Sequence, residues 1–330
     1  MFTSREFLDD ALLARLTAVR VSDPEYAARI AAARTRRAQL APDGKLNLVA
    51  ADHPARYVTK VGDDILAMAD RRDYLARVLR VVSSARVDGV MATMDILEDL
   101  LAIDGFVREA GGAPLLDQKL LIASLNRGGL AGSSWELDDP MTGATAASCE
   151  ALRLDGAKIL LRVDLAEPAS LKTIRESVAA INECLALRLP VFLEPLPVAR
   201  SANSYAVVKT REALARLAGV ASALGASSRN LWLKLPYAEG YQTVARATTL
   251  PILLLGGESA GDPAPFLRQL ECALRAGPNV RGALVGRNVL YPGTEDPLVM
   301  AEAAGGIVHE GWTVEQALEK MAEVRRRRDP

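Results

Sequence analysis

The chain has 330 residues, half of them hydrophobic and a quarter charged, a composition that supports a large buried core and excludes intrinsic disorder. Its formal net charge of -1 supplies no overall basic field for nucleic acid. No stretch approaches the roughly twenty apolar residues of a membrane helix, and the N-terminus lacks a basic-then-apolar signal pattern. Cys149, Cys184 and Cys272 stand too far apart for a zinc spacing or a disulfide framework and fit a reducing compartment. These features predict a cytoplasmic protein that engages neither nucleic acid nor membrane.

Residues 1–44 place apolar side chains at helical spacing, as in Phe7, Leu8, Ala11, Leu12 and Leu16, with breaks at Asp23-Pro24 and Pro42-Asp43-Gly44. They predict an N-terminal helical extension. From residue 45 onward, eight short apolar runs alternate with longer amphipathic stretches. The runs are Leu46 to Ala51, Val87 to Thr93, Lys119 to Ser124, Ala157 to Val163, Leu189 to Glu194, Asn230 to Leu235, Leu250 to Leu255 and Gly282 to Val285. Each is almost continuous in Val, Ile, Leu and Ala, as expected of parallel strands covered on both faces. Eight such units predict a TIM (β/α)8 barrel over residues 45–330, a single catalytic domain. A doubly wound open sheet is the competitor, but the first run is followed by Asp52-His53-Pro54-Ala55-Arg56 and not by a glycine-rich turn. The closing run Arg325 to Arg328 reads as a solvated helix end.

In β/α barrels the active site lies at the C-terminal ends of the strands, so a polar residue ending an apolar run is a candidate. The first run ends at Asp52, the fourth carries Lys158 with Arg162 and Asp164, the fifth ends at Glu194, and the sixth contains Lys234. A lysine within Leu231-Trp232-Leu233-Lys234-Leu235-Pro236 is expected to be buried, which disfavours the ammonium and leaves a nucleophilic amine. The bland alternative turns Lys234 outward, with its stem on a helix and its head in water. Lys158, two strands earlier in Gly156-Ala157-Lys158-Ile159, favours the inward reading, because alternate strands fill common interior layers. Glu194 is the expected proton relay, or else simply one half of a buried ion pair.

The seventh run leads into Gly256, Gly257 and Ser259, and the eighth into Gly286 and Arg287. Barrels often bind phosphate in these loops, where glycines admit an anion to backbone amides and an arginine adds a charged fork. A tight turn with a surface ion pair is the alternative reading. His53 is a candidate substrate contact or a hydrogen-bonding support, and Tyr237 a candidate proton donor or a packing residue. With only two histidines in the chain, no metal site and no cofactor are predicted.

Asp155-Gly156-Ala157-Lys158-Ile159-Leu160-Leu161, Pro190-Val191-Phe192-Leu193-Glu194-Pro195-Leu196, Leu233-Lys234-Leu235-Pro236 and Gly286-Arg287 occur in this order between Leu46 and Tyr291. In order and spacing they resemble the tagatose-bisphosphate, sulfofructose-phosphate and deoxyribose-phosphate aldolase group of class I (Schiff-base) barrel aldolases. The resemblance implies that Lys234 forms the Schiff base. It also implies proton handling by Lys158 and Glu194, a hydroxyl contact from Asp52, and an anion clamp from Gly257, Ser259 and Arg287. The sequence departs from the group's pattern in His53-Pro54-Ala55-Arg56 after the first strand and in Gly256-Gly257-Glu258 after the seventh, and residues 1–44 have no counterpart.

The expected activity is retro-aldol cleavage of a phosphorylated ketose or keto-deoxy sugar acid, with the 5-dehydro-2-deoxyphosphogluconate of inositol breakdown one candidate. A deoxyribose-phosphate type of aldolase with an aldehyde donor is the second reading, and a non-catalytic, sugar-phosphate-sensing barrel the third. The expected partners are a small sugar phosphate and further copies of the same chain, since oligomers are a habit of this architecture.

Overall fold

The computed structural model describes residues 2–328 apart from 203 and 260. Each apolar run becomes a strand, buried on both faces apart from the exposed end of the fifth: β1 (Leu46–Ala51), β2 (Gly89–Ala92), β3 (Leu120–Ser124), β4 (Gly156–Val163), β5 (Val191–Ser201), β7 (Leu231–Pro236), β8 (Ile252–Leu255) and β9 (Val280–Val285), with β6 (Ser204–Val207) between the fifth and sixth of these. All pair in parallel except β5 with β6. The order is β4-β3-β2-β1-β9-β8-β7-β5, and pairing of β4 with β5 closes the ring. The predicted TIM barrel is therefore the fold.

The period-2 alternation of strand side chains divides the apolar residues in two. Leu46, Leu48, Ala50, Met91, Leu120, Ile122, Phe192, Leu253 and Leu284 pack inside the ring, while Val49, Ala51, Val90, Leu121, Ile159 and Leu233 face the helices. Leu40 and Ala41 pack against the inner set. This apolar filling lies below the polar residues of the strand ends and gives them a dry floor.

Two departures from the sequence expectation have physical causes. Helices cover Ser4–Phe7, Asp10–Ser22 and Tyr26–Ala33, but residues 34–44 are not helical. Arg34, its side chain fully buried, donates to Asp155 Oδ2 at 2.9 Å and to the carbonyls of Lys119 and Arg153, and Arg37 pairs with Asp88 at 2.9 Å. Those bonds hold the segment against strand entries, where it cannot coil. The second departure is β5, which runs past Glu194 to Ser201 through Pro195 and Pro197. Pairing with β7 ends at Leu193, so beyond that point β5 has an open side on which a missing N–H costs little. Val198 to Ser201 then turn back through an antiparallel hairpin with β6.

Candidate active site

Glu194 belongs to the strand between those that carry the two lysines, since β4, β5 and β7 are consecutive in the ring. Lys158 pairs in register with Phe192, and Phe192 with Trp232, so the inward alternation that buries Phe192 and packs the half-buried Trp232 against the inner cluster also sends Lys158, Glu194 and Lys234 to the interior. Lys158 Nζ lies 2.7 Å from Glu194 Oε2, and Lys234 Nζ lies 3.1 Å from the same oxygen. The lysine side chains are 2% and 7% exposed and that of Glu194 is 11% exposed. Lys234 therefore faces the interior and not the solvent outside the barrel.

Burial pushes the pKa of Lys158 well below the usual lysine value, helped by the cations Arg127 and Lys234 and opposed by Glu194. Burial likewise lowers that of Lys234, again against Glu194. Burial would raise the pKa of Glu194, but the two ammonium groups outweigh it and hold the carboxyl well below the usual range. One carboxylate thus serves two amines, neither of which can be fully neutralised by it at once.

At the end of β1, Asp52 is buried and joins this cluster: its Oδ2 lies 3.3 Å from Lys158 Nζ and accepts from Ser124 Oγ at 3.2 Å. Arg127, from the loop after β3, pairs with the same carboxylate. Its guanidinium is pushed down to about 10 by burial, against the attraction of Glu194 and Asp139. Lys158 is held between two carboxylates and Lys234 by one, so the Lys234 amine is the less tightly held of the two. The wall behind them is shaped by Gly286, where a Cβ would stand 2.2 Å from His53 Cε1 and 2.8 Å from the Ala50 carbonyl oxygen. Only glycine lets the imidazole lie there. Burial, reinforced by Arg287 and Lys234, holds His53 well below its ordinary pKa and therefore neutral.

These side chains open into a cavity of about 670 Å³ at the C-terminal ends of the strands. Gly256, Gly257, Gly286 and Arg287 line it, as expected of the last two loops. Asn288 ties the loops together by donating to the carbonyl oxygens of Gly256 at 2.7 Å and Glu258 at 3.2 Å. Ser259 is placed elsewhere: it lines a neighbouring cavity of about 450 Å³ shared with Arg287, and its hydroxyl donates to the Tyr291 carbonyl at 2.7 Å. Tyr237 also falls outside the cavity, with its ring stacked 5.7 Å from that of Tyr241 in the helical layer, which is the packing role. Arg162 is buried against Glu136, 2.5 Å away, and Asp139, which fastens the loop after β3 to β4.

Arg56, Arg127 and Lys209 also line the cavity and were not singled out in the sequence. They come from connections, where no apolar run frames a charged residue. Arg56 has a weak signal of its own, since it closes the Asp52-His53-Pro54-Ala55-Arg56 segment that departs from a glycine-rich turn. Among the described residues, no group of three or more His, Cys, Asp or Glu side chains is placed to hold a metal ion, and no helix is long and apolar enough to cross a membrane.

A family model described as Cgl0159-like matches residues 44–305. The crystal structure of Cgl0159 from Corynebacterium glutamicum is 36% identical in sequence, with a TM-score of 0.85 over 92% of this chain and 99% of that one. An archaeal fructose 1,6-bisphosphate aldolase, 21% identical, superposes with a TM-score of 0.59 over 86% of this chain and 100% of its own. The fructose-bisphosphate aldolase from Slackia heliotrinireducens, 16% identical, gives 0.63 over 98% and 96%. At those identities the two aldolases share the fold. Among curated proteins, 2-amino-3,7-dideoxy-D-threo-hept-6-ulosonate synthase 1 of Archaeoglobus fulgidus is 31% identical over 110 residues, a third of this chain; the match spans 39% of that protein's length.

Proposed function

The chain belongs to the Cgl0159-like family, and from that premise we propose that it is a class I aldolase that cleaves a phosphorylated ketose or keto-deoxy sugar acid through a Schiff base on Lys234. The observation that carries this reading is the sharing of Glu194 by two buried amines at the floor of a cavity. Such an arrangement keeps one amine neutral part of the time at neutral pH, and a neutral amine is what attacks a carbonyl. The names of the two fructose-bisphosphate aldolases that share the fold point the same way.

Lys234 Nζ adds to the ketone carbon, the carbonyl oxygen takes a proton, and loss of water from the carbinolamine leaves an iminium. The carbon–carbon bond one atom removed then breaks: its electron pair moves to the iminium nitrogen, and the proton of the adjacent hydroxyl passes to a base as the aldehyde leaves. The remaining enamine takes a proton on carbon, and water hydrolyses the imine to free the second fragment and the lysine. Glu194, 3.1 Å from Lys234 Nζ, is placed to carry protons in imine formation and hydrolysis, and Lys158 keeps it ionised between transfers. Asp52 supports this reading as the hydroxyl contact, because it opens on the same cavity. Lys158 fits the nucleophile less well, being held by two carboxylates.

Borohydride reduction in the presence of candidate ketose phosphates, followed by peptide mass mapping, tests the assignment. The expected result is a reduced adduct on the peptide containing Lys234. A stable adduct on any other residue overturns it.

A further inference from the structure

In the closed ring β3 stands across from β8, four strands away in either direction. The cavity therefore has two ends. Gly256, Gly257, Gly286 and Arg287 line one, and Arg127, which follows β3, lines the other. Arg56 reaches toward that far end from the loop after β1, its Nε donating to the Gly129 carbonyl at 3.1 Å.

Both arginines are held in place by groups other than a ligand. Arg127 N donates to Thr142 Oγ1 at 3.0 Å, and the preceding Asn126 is locked to β4, donating from Nδ2 to the Leu160 carbonyl at 2.6 Å and accepting from Leu160 N at 2.8 Å. The Arg127 side chain is 8% exposed, and its buried Nε has no acceptor among the described residues. Arg56 Nη2 donates at 3.3 Å to Glu136, a carboxylate that also takes Arg162 at 2.5 Å and accepts from Gly132 N and Ser204 Oγ, each at 2.9 Å. Arg56 Nη1 has no hydrogen bond to a described residue. Between this wall and Lys234 the lining is apolar: Leu160 stands in register with Glu194, and Leu196 follows two residues along β5.

We propose that Arg127 and Arg56 grip a carboxylate at the end of the substrate remote from its phosphate, with Leu160 and Leu196 against the methylene that bears it, so that the substrate is a keto-deoxy sugar acid and not a ketose bisphosphate. This rests on the reading of the site as a Schiff-base aldolase. Arg127 already meets Asp52 and Arg56 meets Glu136, so the wall offers forked donors with little spare charge. That suits a planar monoanion and leaves a dianionic phosphate short of counter-charge. A hydroxyl on the neighbouring carbon would face the two leucines without a partner, whereas a methylene packs there. The reach also fits. From a ketone carbon on Lys234 to a carboxyl carbon beyond the cleaved bond is four carbon–carbon bonds, about 5 Å, and the Lys158 ammonium alone bridges the way across, 2.7 Å from Glu194 and 3.3 Å from the Asp52 that Arg127 meets. The aldehyde that leaves then carries the carboxylate, as a 3-oxo acid.

The test has two arms, each run on the full-length native protein, Arg56→Met and Arg127→Lys. In the first, thermal unfolding is titrated with 3-hydroxypropanoate, which has the chain length of the 3-oxo acid and no carbonyl for a lysine. It is expected to raise the Tm of the native protein, with at least a tenfold weaker apparent affinity in both variants; Arg127→Lys keeps a cation for Asp52 and loses only the fork. In the second, condensation with dihydroxyacetone phosphate compares 3-oxopropanoate, butanal and glyceraldehyde 3-phosphate as acceptors. The native protein is expected to favour 3-oxopropanoate over both by at least tenfold in kcat/KM, and its ratio to butanal is expected to fall at least tenfold in each variant. Superimposable 3-hydroxypropanoate titrations of the native protein and Arg56→Met overturn the proposal, as does a native preference for glyceraldehyde 3-phosphate. Because 3-hydroxypropanoate needs no Schiff base, the carboxylate seat survives if no adduct forms on Lys234. The aldolase reading survives in turn if Lys234 is trapped but the acid acceptor has no advantage over butanal, a result that sinks the seat.

Discussion

Replacing Glu194 by Gln keeps the shape of the side chain and removes the one charge that both amines share. Lys158 Nζ at 2.7 Å and Lys234 Nζ at 3.1 Å then face an amide, with side chains only 2% and 7% exposed. Breaking a buried ion pair from one side costs about 3–5 kcal/mol, and here part of that cost is relieved because the lysines can shed a proton. Glu194 raises the pKa of both, so its removal lowers them further, and the folded state binds fewer protons than the unfolded chain. Stability of Glu194→Gln therefore rises with pH from neutrality until the unfolded lysines themselves deprotonate near about 10.4. The same shift moves the pH dependence of carbonyl trapping on Lys234 to lower pH, since more of the amine is neutral. Cleavage should move the other way: loss of the proton carrier reduces kcat by about 10²–10⁴-fold. The assays are urea denaturation across pH, borohydride trapping across pH, and steady-state release of the aldehyde product. A variant that turns over at the native rate, or whose trapping profile moves to higher pH, refutes the assignment of Glu194 as the shared counter-charge and proton carrier.

Asp155→Asn strikes the joint between the N-terminal segment and the barrel. Asp155 faces the fully buried Arg34 at 2.9 Å and Arg36 at 2.8 Å and accepts from Leu121 N at 2.9 Å, so the loss should be about 3–5 kcal/mol in chemical denaturation; a loss below about 1 kcal/mol would show that the joint carries no stability. At the opposite end of the barrel from the cavity, His309 sits between Asp88 at 2.9 Å and Asp43 at 2.7 Å. The hydrogen bond to Asp88 raises its pKa above the ordinary histidine value, against burial and with help from Asp43. The folded state therefore holds this proton more tightly, and its contribution is complete below about 6.5 and lost as pH rises through the folded value. His309→Gln should remove that fall in Tm on the alkaline side, and an unchanged Tm-against-pH curve would count against it.

The barrel was legible because its signal is one-dimensional. A parallel strand buried on both faces must be apolar almost throughout, so each strand from Leu46–Ala51 to Val280–Val285 announces itself as a run. For the same reason a charged residue within or at the end of such a run stands out: Lys158 and Lys234 interrupt apolar stretches, and Asp52 and Glu194 end them. The structure brings these four to one cavity with Gly256, Gly257, Gly286 and Arg287, and it sets Ser259 in the next cavity and Tyr237 in the helical layer. Loop residues break no pattern. Arg127 reaches Asp52 from the connection after β3, and Lys209 reaches Gly257 from a hairpin that Pro195 and Pro197 concealed.

What the amino-acid order determined by itself is which residues are buried on strands and in what sequence they follow, because hydrophobic burial and side-chain alternation act over a few neighbouring residues. Which charges meet was decided only by tertiary structure. Ring closure between β4 and β5 sets Glu194 between two lysines that lie 36 residues before it and 40 after it, and an electrostatic coupling that acts over about 3 Å has no trace in a spacing of that length.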